Sequence, residues 1–235
     1  MFLPENIDLA YSEKYNLSIR LTPSGFSFCI NCPTDPSIFH YQETSLSSSL
    51  SYIESIKKLI FDLGFFSQPF NKTTVIVVNN LYTLLPDRFF DKKHAKDIFN
   101  FNFHETVGVV LNDNFANEQY HILFNVDEQV HSFLSRHLTN PVFSHQTSFL
   151  LHLFEKQPFE LEKKRCFLDF HETNISVVCF SEDELLSVNS FEATNYYDTS
   201  YFITNIWDKL EFDQTSDLLY ISGDAGLHDA VVDTL

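Results

Sequence analysis

Glycine and basic residues are scarce in this chain of 235 residues. It has five glycines, and 15 Lys and Arg stand against 32 Asp and Glu, which gives a net charge of −17. Loops that bring backbone N–H groups close to phosphates usually need glycines at defined turns, and five glycines leave few for that purpose. A field of this sign repels nucleic acid and anionic lipid. The composition therefore argues against a nucleic-acid or membrane partner. It favours a basic protein partner, or serves solubility alone.

Cysteine and long apolar runs are also sparse. Cys29 and Cys32 form a C-x-x-C at the end of a predicted strand, not at a helix start, and no second such motif completes a zinc site. Cys166 and Cys179 are distant in sequence. All four cysteines can be ordinary buried thiols, so no metal site is predicted. The N-terminus has no basic and apolar leader and no run approaches a membrane span, so a cytoplasmic location is expected.

Phenylalanine is the abundant residue, with 26 copies in a chain that is 44% hydrophobic. This content is enough to bury a substantial core of bulky side chains, so the chain is expected to fold.

The first half has the periodicities of a β-β-β-α-β unit. Period-two alternation predicts strands, serine followed by apolar residues at spacings of three and four predicts a helix that Gly64 ends, and a β-branched run predicts a buried parallel strand. The predicted strands are 17–21, 26–30, 38–41 and 73–78, and the predicted helix is 45–63.

The second half repeats this order after a less regular middle region, 81–156. The middle region contains a predicted strand at 120–126, a predicted helix at 127–138, and a segment at 149–154 that is assigned to another helix, although its apolar stretch could also pass for a strand. A polar stretch, 157–164, is the predicted boundary. The later elements are strands 166–170, 175–179, 185–191 and 217–222, a helix at 199–210, a turn at 222–226 and the start of a last helix at 227–232.

The two halves align when one is shifted by 149 positions. The apolar positions of the first hairpin then fall on apolar positions of the second, and Arg20 falls on Asp169. Any two hairpins share some of this pattern, but the strand, helix and strand that follow in both halves favour an internal duplication. The aligned apolar sets are Leu17, Ile19, Leu21, Phe26, Phe28 and Ile30, and Cys166, Leu168, Phe170, Ile175, Val177 and Cys179.

Two tandem β-β-β-α-β halves resemble the actin-like ATPase superfamily, which is built from paired ribonuclease-H-like domains. Within it the chain resembles an uncharacterised bacterial family of actin-fold proteins and, more distantly, pilus-assembly and cell-division actin homologues. The resemblance implies an α/β fold with a first domain at 14–156, which includes a middle insertion, and a second domain at 165–235.

The resemblance also implies phosphate loops, and the residues at those positions depart from the family pattern. The first loop should carry an acidic residue and an early glycine, but Arg20 replaces the acid. The second keeps Asp169 and Thr173 and places His171 and Glu172 where small residues should be. A phosphate needs close backbone N–H groups and no nearby anion, so Glu172 opposes its binding.

The adenosine loop of the family is matched better, by the small residues of the turn at 222–226. An ordinary strand-to-helix turn explains the same residues. If a nucleotide binds, the resemblance implies that Asp169, Thr173, Gly223, Asp224 and Gly226 hold it. Asp169 alone matches a magnesium-binding position, and a carboxylate bonded within the turn is the alternative. No catalytic residue is predicted.

These features predict a non-catalytic interaction or scaffold protein that docks a protein partner, with its acidic surface steering a basic one. The alternative is a diverged ATP-binding ATPase or phosphotransferase that uses Mg-ATP through Asp169, Thr173 and Gly223. A third is a homo-oligomer or filament. A ribonuclease-H-type nuclease is disfavoured, because the net charge opposes nucleic-acid binding.

Overall fold

Two compact units, residues 1–148 (unit 1) and 149–235 (unit 2), make up the chain in a computed structural model. The structure describes residues 3–46, 48–103, 108–115, 119–158, 160–171, 174–192, 195–223 and 231. Among these residues, no helix has the length and apolar character needed to cross a membrane.

Unit 1 contains a five-stranded sheet in the order β3-β2-β1-β4-β8 and a three-stranded sheet in the order β5-β7-β6. Its core combines the apolar faces of β1 and β2 with those of α1 and α3. Its strands are β1 Asn16–Leu21, β2 Gly25–Cys32, β3 Asp35–Ser45, β4 Lys72–Val77, β5 Tyr82–Pro86, β6 Val109–Phe115, β7 Tyr120–Val126 and β8 Val142–His145; its helices are α1 Tyr52–Asp62, α2 Ala95–Asn102 and α3 Glu128–His137.

Unit 2 contains a four-stranded sheet in the order β11-β10-β9-β12. Helix α4 covers Gln146–Glu155. The remaining elements are β9 Lys164–His171, β10 Asn174–Ser181, β11 Glu184–Glu192, α5 Tyr196–Lys209 and β12 Leu218–Gly223.

The central hairpins of the two units have the same register. In unit 1 Leu17 faces Ile30, and in unit 2 Cys166 faces Cys179, which are the same positions after the shift of 149. β1 pairs in parallel with β4, and β9 with β12. Both predicted β-β-β-α-β orders are therefore present, and the apolar positions used in the alignment are buried in both units.

Helix α1 is shorter than predicted because the preceding strand is longer. The helix was expected from residue 45, but β3 pairs with β2 as far as Ser45. The helix begins after Ser51, whose hydroxyl accepts from the amide of Glu54 while the Glu54 carboxylate accepts from the Ser51 amide. The Ser51 hydroxyl also donates to Glu54 Oε2 over 2.6 Å, and this hydrogen bond, together with the one from the Ser51 amide, holds the pKa of Glu54 below its ordinary value. Gly64, with φ of +72°, ends the helix as predicted.

The middle region is more regular than its sequence suggests. The predicted strand and helix are present as β7 and α3, and the ambiguous segment lies in α4. Elements β5, α2, β6 and β8 were not predicted, because their apolar patterns are short or interrupted by polar residues. At the N-terminus, Ile7 is buried in the core of unit 1 and a 3₁₀ helix covers Leu9–Lys14.

Helix α5 covers one face of the unit 2 sheet. Ile203 is buried there, and Trp207 packs on the core with its ring centroid 5.0 Å from that of Phe212. The predicted last helix lies outside the described residues except for Val231, which is helical and buried in the same core.

Candidate functional site

At the position predicted for the first phosphate loop, the side chain of Arg20 is held in place by hydrogen bonds. Arg20 lies near the carboxyl end of β1, and its Nε and Nη2 donate to Oε1 of Gln146, over 3.0 and 2.8 Å. Gln146 is the first residue of α4 and is buried. Because a guanidinium cannot coordinate a metal ion, the residue that replaces the acid removes a possible Mg²⁺ ligand.

A buried polar network that the sequence did not predict lies close to Gln146 along the chain. Asp113 Oδ2, on β6, accepts from the His145 amide over 2.7 Å and from the Ser148 hydroxyl over 2.6 Å. His145 Nε2 lies 3.1 Å from the carbonyl oxygen of Asn79, and Nδ1 accepts from the Thr147 amide. Since a carbonyl only accepts, Nε2 carries the proton and the imidazole is neutral. The network fixes the start of α4 and therefore the residue that binds Arg20.

No sequence signal could have identified this network. Asp113 and Ser148 are 35 residues apart and belong to no shared motif. Strand β6 was not predicted, and its pairing with β7 is what places Asp113 beside the start of α4.

In unit 2, Asp169 faces β12. The hydroxyl of Ser222 lies 2.8 Å from Asp169 Oδ1 and 3.2 Å from the carbonyl oxygen of Leu168. Asp169 and Ser222 are direct partners in the parallel pairing of β9 with β12. The structure thus brings Asp169 beside the strand that leads to the predicted adenosine loop, and it gives the carboxylate a hydroxyl partner across the sheet.

Gly223, the next residue, is required by the backbone. It has φ of +91°, and a Cβ at this position would lie 2.0 Å from the carbonyl oxygen of Phe170 and 2.7 Å from its nitrogen. The close approach of β12 to β9 therefore explains this glycine without a ligand. The other predicted nucleotide-binding residues, Thr173, Asp224 and Gly226, lie outside the described residues.

A line of polar side chains crosses the same sheet. His171 Nε2 lies 3.3 Å from the hydroxyl of Ser176, which lies 3.0 Å from the hydroxyl of Ser190. His171 and Ser176 are buried, so the serine has no access to a substrate. We interpret this line as a structural network within the sheet.

The cysteines do not converge on a metal site. Cys29 and Cys32 are three residues apart on β2, so their side chains leave opposite faces of the strand. Burial raises the pKa of Cys29, while a hydrogen bond with Thr34 lowers that of Cys32. Throughout the described part of the chain, no three His, Cys, Asp or Glu side chains lie close enough together to hold a metal ion.

Cys166 and Cys179 face each other across β9 and β10, and both are fully buried. The hydrogen bond with Cys166, together with burial, raises the pKa of Cys179 far above its ordinary range, so Cys179 stays a protonated thiol. Both residues serve the core rather than a reactive site.

Comparison with solved structures identifies the fold. A crystal structure from Bacteroides thetaiotaomicron VPI-5482, of a protein with actin-like ATPase fold and unknown function, aligns with a TM-score of 0.88 at 25% sequence identity. The alignment covers 97% of this chain and 89% of that one. The PilM-PilN type IV pilus biogenesis complex aligns with a TM-score of 0.53 at 12% identity, covering 94% and 85%.

These alignments confirm the predicted α/β actin-like ATPase fold and the more distant likeness to a pilus-assembly protein. No curated protein matches the sequence. A family model does match it, over residues 4–235, and with this coverage the chain belongs to the family described as "Protein of unknown function (DUF3822)".

Proposed function

We propose that this chain is a non-catalytic, cytoplasmic interaction module, an actin-like fold whose nucleotide loops are degenerate. The observation that carries the proposal is the Arg20–Gln146 contact, in which a guanidinium occupies the place of a metal-binding carboxylate. Gly223 supports it, since strand packing against Phe170 accounts for this residue. The acidic charge supports a basic protein as the partner.

Differential scanning calorimetry with and without Mg-ATP tests the proposal. A ligand at about a hundred times its Kd stabilises a protein by about 2.7 kcal/mol, which moves the melting temperature by several degrees. We expect no shift with Mg-ATP at millimolar concentration, and none with Mg-ADP.

The contrary outcome defines the second candidate, a diverged ATPase or phosphotransferase. Asp169 and Ser222 favour it, because they place a carboxylate and a hydroxyl side by side near a strand end. A clear rise of the melting temperature with Mg-ATP that disappears in Asp169→Ala would contradict the interaction module and support this enzyme. Asp97→Ala, which changes an exposed carboxylate of α2, is the control for lost charge.

A further inference from the structure

Strand β11 and helix α5 border a groove of about 300 Å³ in unit 2. Its polar lining comes from Ser187, Asn189 and Asn205, and the amide of Asn189 donates to the Ser187 hydroxyl over 2.6 Å. Its apolar lining includes Phe191 and Phe202, whose rings stack with centroids 4.4 Å apart. A groove with apolar and hydrogen-bonding walls is suited to a peptide side chain.

The groove runs beside a sheet edge. β11 pairs with β10 on one side, and no other strand within the described ranges pairs with it. An edge strand presents a row of backbone N–H and C=O groups that can pair with an added strand. Peptides that bind in this way gain affinity from the main chain and specificity from alternate side chains.

The charge around this edge is strongly negative. Unit 2 carries 17 Asp and Glu against 5 Lys and Arg, so its net charge is −12 out of −17 for the chain. Glu184 and Glu192 form the two ends of β11, and both are exposed. Lys209 is the basic residue that lines the groove.

Two of the five basic side chains of unit 2 donate hydrogen bonds to backbone carbonyl oxygens. The guanidinium of Arg165 is buried and donates to the carbonyl oxygens of Gln157 and Glu182. Lys164 Nζ donates to the carbonyl oxygens of Leu210 and Glu211 at the end of α5. The acidic ends of β11 therefore attract positive charge from outside unit 2.

We propose that the groove binds an extended segment of a basic partner, which adds to β11 as a further strand. An apolar side chain of the segment lies against Phe191 and Phe202, and Lys or Arg side chains on either side meet Glu184 and Glu192. A second copy of this chain is disfavoured as the occupant, because two surfaces of charge −12 repel each other. This inference rests on the proposed interaction function and names the partner's chemistry.

Titration calorimetry on the full chain with the synthetic peptide Lys-Arg-Val-Leu-Val-Arg-Lys, blocked at both ends, tests the inference. We expect binding that weakens at least about tenfold in Glu184→Lys/Glu192→Lys, because charge reversal turns attraction into repulsion. The matched control, Glu5→Lys/Glu13→Lys, makes the same change in net charge on exposed residues of unit 1 and should change the affinity less than about twofold.

A peptide with Pro in place of the central Leu keeps the charge but loses a backbone donor, and it should bind at least about tenfold more weakly. Absence of binding, equal weakening by both double variants, or equal binding of the proline peptide would each overturn the inference. So would a dimer in light scattering that the Glu184→Lys/Glu192→Lys variant abolishes.

The two proposals fail separately. If the peptide results are negative and Mg-ATP gives no thermal shift, the groove is not the docking site and the interaction function still stands. If Mg-ATP stabilises the chain while the peptide binds as expected, the non-catalytic function is wrong, but the groove is still the binding site for a basic peptide.

Discussion

Gly64 and Gly223 both have positive φ, but they differ in what surrounds them. A Cβ at Gly64 would lie 3.4 Å from a Leu9 side-chain carbon, an ordinary contact, whereas at Gly223 it would overlap the backbone of Phe170. The first position therefore needs glycine for its conformation alone. The second needs it for both conformation and space.

We predict that Gly223→Ala lowers the free energy of unfolding by about 3 kcal/mol or more, since β12 must move away from β9. Gly64→Ala, the control, should cost about 1 kcal/mol. Urea denaturation followed by circular dichroism measures both. Equal and small losses would contradict the close approach of the two strands.

At the scale of the element, the end of α5 uses an unfavourable residue. The amide of Phe212 donates to the carbonyl oxygen of Trp207, and that of Glu211 to the carbonyl oxygen of Asp208. This pattern requires a left-handed residue after the helix, and Glu211 has φ of +54°. Glycine normally takes this position, because an L side chain is strained there.

Glu211→Gly should therefore raise the free energy of unfolding by about 0.5–1 kcal/mol, after the greater freedom of glycine in the unfolded chain is subtracted. Lys209→Gly, two residues earlier in the regular helix, should lower it by about 1 kcal/mol. Chemical denaturation of the two variants gives the comparison. A loss of stability in Glu211→Gly would show that the strain is compensated locally.

The sequence predicts well those elements in which the spacing of the apolar residues matches the residues that are buried in the structure. The buried residues of β1 are the alternating apolar ones, whereas the apolar runs of β9 and β10 are buried on both faces of the sheet. β6 has Asn112, Asp113 and Asn114 in its middle, poor strand formers that its pairing with β7 holds in place. The start of α1 was misplaced because periodicity does not show where a paired edge strand ends.

The candidate site divides in the same way. Asp169 could be placed at a strand end from alternation alone, and the substitution of Arg20 was visible in the sequence. The contact of Arg20 with Gln146 spans 126 residues, and the Asp113 network joins β6 to the start of α4. Such contacts follow from tertiary folding, so local pattern could not predict them.

For the whole molecule, the excess of negative charge opposes folding through self-repulsion. We predict that raising sodium chloride from about 10 mM to about 500 mM raises the melting temperature, because the screening length falls from about 30 Å to below 10 Å. The response should be smaller in Glu184→Lys/Glu192→Lys. Potassium chloride should act like sodium chloride, and a melting temperature that falls with salt would show that attractive charge pairs dominate instead.

The position of Trp207 has a practical consequence. It is the only tryptophan in the chain, and it packs on the core of unit 2. Its intrinsic emission therefore reports on the core of residues 149–235. An emission melting curve of the wild-type chain tracks one half of it, and a second fluorophore placed in the other half would let the two be followed independently.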